Sequence, residues 1–468
     1  MNLFRRPLTL RLLILAALVS IVAPNGNTGA AAPDWVAITK VNVITMVEGA
    51  PAVLKRQTVL VRNGVIDTIA KPSKRNPVDI PRGATIVNGR GRYLLPGLAD
   101  MHAHMTWIPS NVGVEPTDLY DLFMIHGVTT IYNMHGFSQD GAGRRVISPP
   151  EMQVRLARGD DFGPRLYSSG PIMREPTVDT PDRAEELVRR YAAEGYDAVK
   201  VYNPMAAETY ERIKSAAREL GLTILGHSPR KGSTLDLMLG DGHDQISHAF
   251  ELSETAFTRP GRASPGDDSE FAGVAAKLIE HDVWVTPTIA LSKHTAERFD
   301  PAHLEALNNQ PWIRFVPQIM RGIWVRDAPP SNAGQPEFWE ERYRFQYRLT
   351  RALQDHGVRL LMGGDPELPY KLHGLSLHEE MQSFAEAGFS SLEILTIATR
   401  NAAEFLETVD KQGTVEVGKR PDMILVRGNP LRKLANLRRL EGMMLRGQWL
   451  AKREFAERTQ RLIDKFDR

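Results

Sequence analysis

The sequence predicts an α/β protein: a (β/α)8 TIM barrel joined to a composite β-sandwich domain built from both ends of the chain. Three observations carry this reading. Short β-branched runs broken by Asn-Gly and Pro turns fill residues 35–86. From Leu94 onward, short apolar runs alternate with helical stretches of roughly 10–15 residues, the signature of repeated βα units on a parallel sheet. After residue 411 strand-like runs return.

Residues 1–32 read as a secretory signal peptide. Arg5, Arg6 and Arg11 precede an apolar run from Leu12 to Ala23, and small residues lead to an A-x-A cleavage site ending at Ala32. The run is shorter than the roughly 20 residues a spanning helix needs. Cleavage and a secreted or periplasmic location are therefore expected, without stable membrane insertion. "WVAITKVNVITM", "QTVLVRNGVIDTIA" and "ATIVNG" form the first part of the sandwich, residues 33–92. The barrel follows over 93–411, with strands expected at Leu94–Asp100, Val128–Tyr132, Arg165–Ser168, Ala198–Val201, Thr223–Gly226, Gln245–Ser247, Val283–Pro287 and Arg359–Met362. Between them, "PDRAEELVRRYAAEGY" and "AAETYERIKSAARELGL" carry apolar residues at helical spacing and end at glycine. "GTVEVGKRPDMILVRGNPL" and "LEGMMLRGQWL" supply the second part of the sandwich, residues 412–451. A charged amphipathic helix, 452–468, closes the chain.

Composition excludes several classes. Loss of the signal peptide removes three arginines and no acid, so 58 Lys and Arg become 55 against 56 Asp and Glu, a net charge of −1. No nucleic-acid partner is expected from that balance. There is no cysteine, so neither a disulfide nor a thiolate nucleophile or ligand is available. A metal would be bound by His, Asp, Glu or a modified Lys, a donor set suited to zinc or manganese.

In a TIM barrel the active site lies at the C-terminal ends of the strands, and ligand-type residues recur there. His102 and His104 sit in "LPGLADMHAH" after strand one, where residues two apart share a face. Lys200 lies in "DAVKVYNP" near the end of strand four. His227 follows "TILG", His248 follows "QIS", and Asp365 follows "RLLMGG". Each alone has a plain structural explanation; the recurrence at one end does not. An ordinary Lys, with a pKa of about 10.4, repels a metal. Desolvation lowers that pKa, and the neutral amine reacts with carbon dioxide to a carbamate whose two oxygens bridge two cations. Carboxylation of Lys200 is expected on this ground; a buried salt bridge is the alternative. Tyr202 either hydrogen-bonds an oxyanion or simply packs. His135, after strand two, either faces substrate or makes a structural contact. His126 and His243 precede strands, at the opposite end of the barrel. His281, His294, His303 and His356 are expected at helix surfaces facing solvent. The Pro- and Gly-rich stretches "TRPGRASPGDDSEF" and "RDAPPSNAGQPEFWEER" are long enough to form lids.

These motifs, with "GVTTIYNM", "GPRLYSSGPI", "VKVY", "LGHSP", "ISHAFE", "MGGDPELP" and "ATRNAAEFL", make the chain resemble the amidohydrolase superfamily over nearly all of its mature length, within an imidazolonepropionase- and prolidase-like secreted branch. The resemblance implies one or two divalent metals, zinc foremost, and hydrolysis of amide or less often ester bonds. It implies His102 and His104 as ligands of the more buried metal and Lys200 as a carboxylated bridge. His227 and His248 are then ligands of the more exposed metal, and Asp365 is both a ligand and the proton shuttle. Two departures stand out: Gly364 where many relatives have threonine, and Ser247 where glutamate is usual. The expected activity is cleavage of a dipeptide or N-acyl amino acid by activated hydroxide. Alternatives on the same site are a cyclic amide, lactone or phosphotriester. A non-catalytic scaffold is disfavoured, because none of the six ligand positions is lost. A small-molecule substrate and a possible homo-oligomer complete the expectations.

Overall fold

The computed structural model describes residues 35–105, 113–139, 143, 145–230, 234–240, 242–257, 268–327, 336–366 and 368–467. The expected signal peptide lies outside the described residues, as do 258–267 and 328–335, the larger part of one stretch expected to form a lid (258–271) and the middle of the other (326–342).

Five strands come first: β1 (Trp35–Val43), β2 (Leu54–Arg62), β3 (Val65–Ala70), β4 (Thr85–Asn88) and β5 (Arg92–Pro96). The barrel-like layer supplies β6 (Leu98–Ala103), β7 (Val128–Asn133), β8 (Arg165–Ser168), β9 (Ala198–Val201), β10 (Thr223–Gly226), β11 (Gln245–Ser247) and β12 (Trp284–Thr286). The chain ends with β13 (Met423–Arg427), β14 (Leu440–Leu445), β15 (Gln448–Ala451) and the helix Lys452–Phe466.

The terminal strands form one hydrogen-bonded sheet ordered β15-β14-β13-β5-β1-β2-β3, with β4 paired to β1. The two ends of the chain thus meet where β13 pairs antiparallel with β5. The sheet curls until its edges touch. The β2–β3 turn at Gly64 lies so close to the β14–β15 turn that a Cβ there would fall 3.4 Å from Gly447 Cα. Val36, Ile38, Val59, Val61, Met423 and Leu425 share the core it encloses.

The parallel strands fall into two sheets, β6-β7-β8 and β9-β10-β11-β12. Backbone bonds span the seam between β8 and β9, Gly170 N to Ala198 O at 2.8 Å and Asp197 N to Ser168 O at 2.9 Å. At the other seam lies the segment 359–362, expected as strand eight. It forms only a bridge, Leu360 with Val285. Leu361 N donates to Val285 O and Met101 N to Met362 O, both at 2.8 Å, so the segment still links β12 to β6. The result is a TIM-barrel-like α/β layer with an additional sheet. The expected first strand also divides: Leu94–Pro96 belongs to β5 of the terminal sheet, and Leu98–Asp100 to β6. Gly97 separates them, where a Cβ would lie 2.2 Å from Thr129 Oγ1.

Local chemistry explains the helices. Pro181–Glu194 starts at Thr180, whose hydroxyl accepts from Arg183 N, and stops at Gly195 with φ 88°. Its buried face is Ala184, Leu187, Val188 and Tyr191. The C-terminal helix buries Phe455, Leu462 and Phe466. Arg458 and Arg461 pair with Asp121, and Lys465 with Asp118, on the helix Pro116–Ile125. Among the histidines expected to face solvent, His294 does not: it is buried, and its Nε2 lies 2.7 Å from Pro369 O. That partner lies 75 positions away, in the segment after Asp365, a contact a single helical pattern does not reveal. No helix among the described residues is long and apolar enough to cross a membrane.

Candidate active site

The end of β6 delivers two imidazoles. As the alternation of a strand requires, His102 and His104 lie side by side, with ring centroids 5.5 Å apart, and both are buried. Asp365 closes on them from the segment that follows Met362. Its Oδ1 is 3.1 Å from His104 Nε2 and 3.7 Å from His102 Nε2. One ligand atom from each of the three residues lies within 4.8 Å of the others. Asp365 N donates to His102 O at 2.8 Å. Two glycines permit this approach: a Cβ on Gly363 would fall 2.5 Å from His102 Cβ, and one on Gly364 2.4 Å from Ser376 Oγ. The Gly364 departure therefore fits Ser376, which occupies the space a larger side chain would need.

β10 and β11 bring the next two imidazoles. The His227 and His248 rings are 4.7 Å apart, and His248 is 4.6 Å from His102. His248 Nδ1 lies 3.7 Å from Asp365 Oδ2, so the two carboxylate oxygens face different histidines. Lys200, on β9, is 1% exposed. Its Nζ donates to Ser247 Oγ at 3.1 Å, which gives the second departure a contact: the residue in place of the usual glutamate touches the lysine. Lys200 is near enough for its charge to act on His102, His227 and His248. All six expected ligand positions therefore converge at one end of the strands.

Burial, reinforced by charge from Lys200 or a neighbouring imidazole, pushes His102, His227 and His248 well below the ordinary imidazole range. They are neutral near pH 7 and offer lone pairs. Burial works against the Asp365 carboxylate, yet the hydrogen bond to His104 Nε2 favours the ionised form and the group lies well below the usual carboxylate range. Neutral imidazoles with a carboxylate are the donor set of a divalent metal such as zinc. His102 Nδ1 is buried with no hydrogen-bond partner among the described residues. On chemistry and spacing the residues fit such an ion.

Supporting groups surround this set. His227 Nδ1 is 2.9 Å from Glu251 Oε1, and His248 Nδ1 is 2.6 Å from Thr288 Oγ1. Glu380 accepts from the amides of Ile289 and Ala290 at 2.9 and 2.7 Å, which pins the backbone just after Thr288. Asp100 accepts from Gly364 N at 2.8 Å and His102 N at 3.3 Å, tying β6 to the Asp365 segment. Burial raises the Asp100 carboxyl to about 7 and that of Glu380 to about 8, against the pull of these amides. His248, Thr288 and Asp365 have φ of 72°, 46° and 48°, in the left-handed region that costs a non-glycine residue about 1–3 kcal/mol. Such strain concentrates at functional sites. Asp100, Glu251, Thr288 and Glu380 escaped the sequence reading. Asp100 alone carried a signal, an acid inside an apolar strand run.

Tyr202 is half-buried and lies against His227, ring centroids 3.9 Å apart. Burial first, then the nearby carboxylates of Asp365 and Glu251, raise its hydroxyl pKa, so it remains a protonated donor.

Because the Thr288 hydroxyl orients the His248 ring, Thr288→Val is expected to weaken metal affinity about 10- to 100-fold. Thr288→Ser should retain it. Competition with a chromogenic chelator measures the difference.

Residues 93–450 match the amidohydrolase family. No curated protein sequence matches the chain. Among solved structures, the chain is similar to a Xaa-Pro dipeptidase with methionine bound in its active site, at 19% identity and TM-score 0.66, covering 89% of this chain and 100% of that one. It is similar to a putative prolidase from Bifidobacterium longum at 20% identity and TM-score 0.65, covering 93% and 99%. It is also similar to a bottromycin amidohydrolase at 21% identity and TM-score 0.68, covering 92% and 90%. The match across most of its length shows that the chain belongs to the amidohydrolase family, hydrolases that act on carbon–nitrogen bonds.

Proposed function

We propose that this hydrolase is secreted or periplasmic, depends on a divalent metal, zinc foremost, and cleaves dipeptides or N-acyl amino acids. The observation that carries the reading is the convergence of His102, His104, Asp365, His248, His227 and Lys200 at one end of the parallel strands. The Arg-rich leader at residues 1–32 supports export. The resemblance to dipeptidase structures supports the substrate class.

In this reading His102, His104 and Asp365 would hold one divalent ion, and His227, His248 and a carboxylated Lys200 would supply donors for a second. Bound metal lowers the pKa of a water toward neutrality and polarises a carbonyl. Asp365, kept ionised and hydrogen-bonded to His104, accepts a proton from the attacking water and delivers it to the departing amine. The Tyr202 hydroxyl, kept protonated, donates to the oxygen on which negative charge grows. The barrel end 360–365 and β6 keep Asp365 fixed against His102 through the backbone bond between them.

The experiment is a substrate panel on metal-loaded protein: Xaa-Pro and Xaa-Arg dipeptides, N-acyl amino acids, lactams, lactones and phosphotriesters. Turnover concentrated among dipeptides or N-acyl amino acids supports the reading. Turnover confined to lactams, lactones or phosphotriesters refutes the substrate class.

A further inference from the structure

Both of the outer imidazoles are covered by an aromatic ring. Tyr202 lies on His227, and Phe250 lies on His248 with centroids 4.8 Å apart and planes 9° from parallel. Each ring carries a guanidinium. Arg174 sits 5.4 Å from the Tyr202 centroid. Arg342 sits 5.4 Å, and Arg230 6.0 Å, from the Phe250 centroid. The three arginines come from separate parts of the chain: the loop after β8, the loop after β10, and the helix Pro336–Asp355.

Their charges are not equally balanced. Arg230 is 2.6 Å from Glu251 Oε1, and Arg342 is 2.8 Å from Glu254 Oε1. Arg174 is exposed and forms no ion pair with any described residue. A guanidinium resting over a ring at 5.4 Å keeps N–H donors that a planar anion can accept in pairs. It stands one ring beyond His227. The steps from His227 to Tyr202, 3.9 Å, and from Tyr202 to the guanidinium carbon, 5.4 Å, are on the scale of the about 3.8 Å between adjacent peptide residues, the scale on which a dipeptide carries its carboxylate.

We propose that Arg174, on the Tyr202 platform, binds the carboxylate of the leaving amino acid and so makes the site selective for substrates with a free carboxylate next to the scissile amide. This rests on the amide-hydrolase reading above and names its specificity residue. Arg230 and Arg342, each committed to a glutamate, shape the other wall.

The test has two arms, each with wild type, Arg174→Gln and Arg174→Lys. In the first, calorimetric titration compares L-proline and L-methionine with their primary amides on metal-loaded protein. Wild type should bind the acids at least about tenfold more tightly than the amides, the range of a charge-assisted hydrogen bond. Arg174→Gln should lose most of that preference, and Arg174→Lys should keep part of it, retaining charge without the flat fork. In the second, the ratio of kcat/KM for Xaa-Pro over Xaa-Pro-amide should fall by a similar factor in Arg174→Gln. Equal preference in wild type and Arg174→Gln, or no wild-type binding of either acid, overturns the proposal. Acid-selective binding lost in Arg174→Gln, with no hydrolysis of any dipeptide, upholds the carboxylate subsite and overturns the dipeptide reading instead.

Discussion

Asp365→Asn is expected to lower kcat by about a thousandfold, the scale of a positioned general acid–base, while leaving the fold intact. Asparagine keeps the size of the side chain and one acceptor oxygen, so the backbone bond from residue 365 to His102 O survives. It removes the proton acceptor. In the native chain Asp365 Oδ1 serves the His102 and His104 side and Oδ2 the His248 side. An amide nitrogen in either position places a donor against an imidazole and weakens that half of the site. Metal content is therefore measured together with kcat, and circular dichroism and thermal unfolding verify the fold. Undiminished hydrolysis by this variant would remove Asp365 from proton transfer.

The second large effect is expected at Lys200. Its side chain is buried beside Ser247 and three imidazoles, where an ammonium is costly and works against a cation. As a carbamate it supplies two oxygens that share one negative charge instead. Lys200→Ala should cut activity by about a hundredfold or more, the upper range seen when a metal's supporting anion is lost. Added acetate or propionate should restore part of it by occupying the vacated volume. The intact mass of gently handled wild type should exceed the chain mass by one carbon dioxide, and Lys200→Ala should show no such increment. A native mass without the increment in fully active protein would leave Lys200 as a buried amine and remove the bridge.

Much of the site was legible because strand geometry converts spacing into position. His102 and His104 share a face by alternation. His227 and His248 end β10 and β11 on the same side of the layer, so reading the strands located the cluster. Lys200 announced itself as a charge within an apolar run. Asp100 sat in the same kind of run and passed unread, although the same reasoning would have singled it out. Glu380 and Thr288 were hidden for another reason: their partners lie 91 and 40 positions away, and no periodicity encodes such contacts. The eighth strand was legible as an apolar run, but it pairs only through Leu360 and single bonds at its flanks. Hydrophobicity marks burial without fixing how many ladder bonds form. The meeting of β5 with β13 was foreseeable from strand-like runs at both ends. The contact between Gly64 and Gly447 depends on sheet curl, which a strand pattern does not contain.

If these side chains grip cations that hydrolysis needs, metal content and turnover must rise and fall together. The most direct measurement is metal content by mass spectrometry of chelator-stripped and reloaded protein, read alongside turnover of the best substrate in the panel. One to two equivalents of divalent metal per chain are expected, with hydrolysis lost on stripping and regained in proportion to reloading, and with His102→Ala unable to reload fully. Protein that holds less than one equivalent under saturating metal, or that hydrolyses amides equally well when stripped, would contradict that expectation.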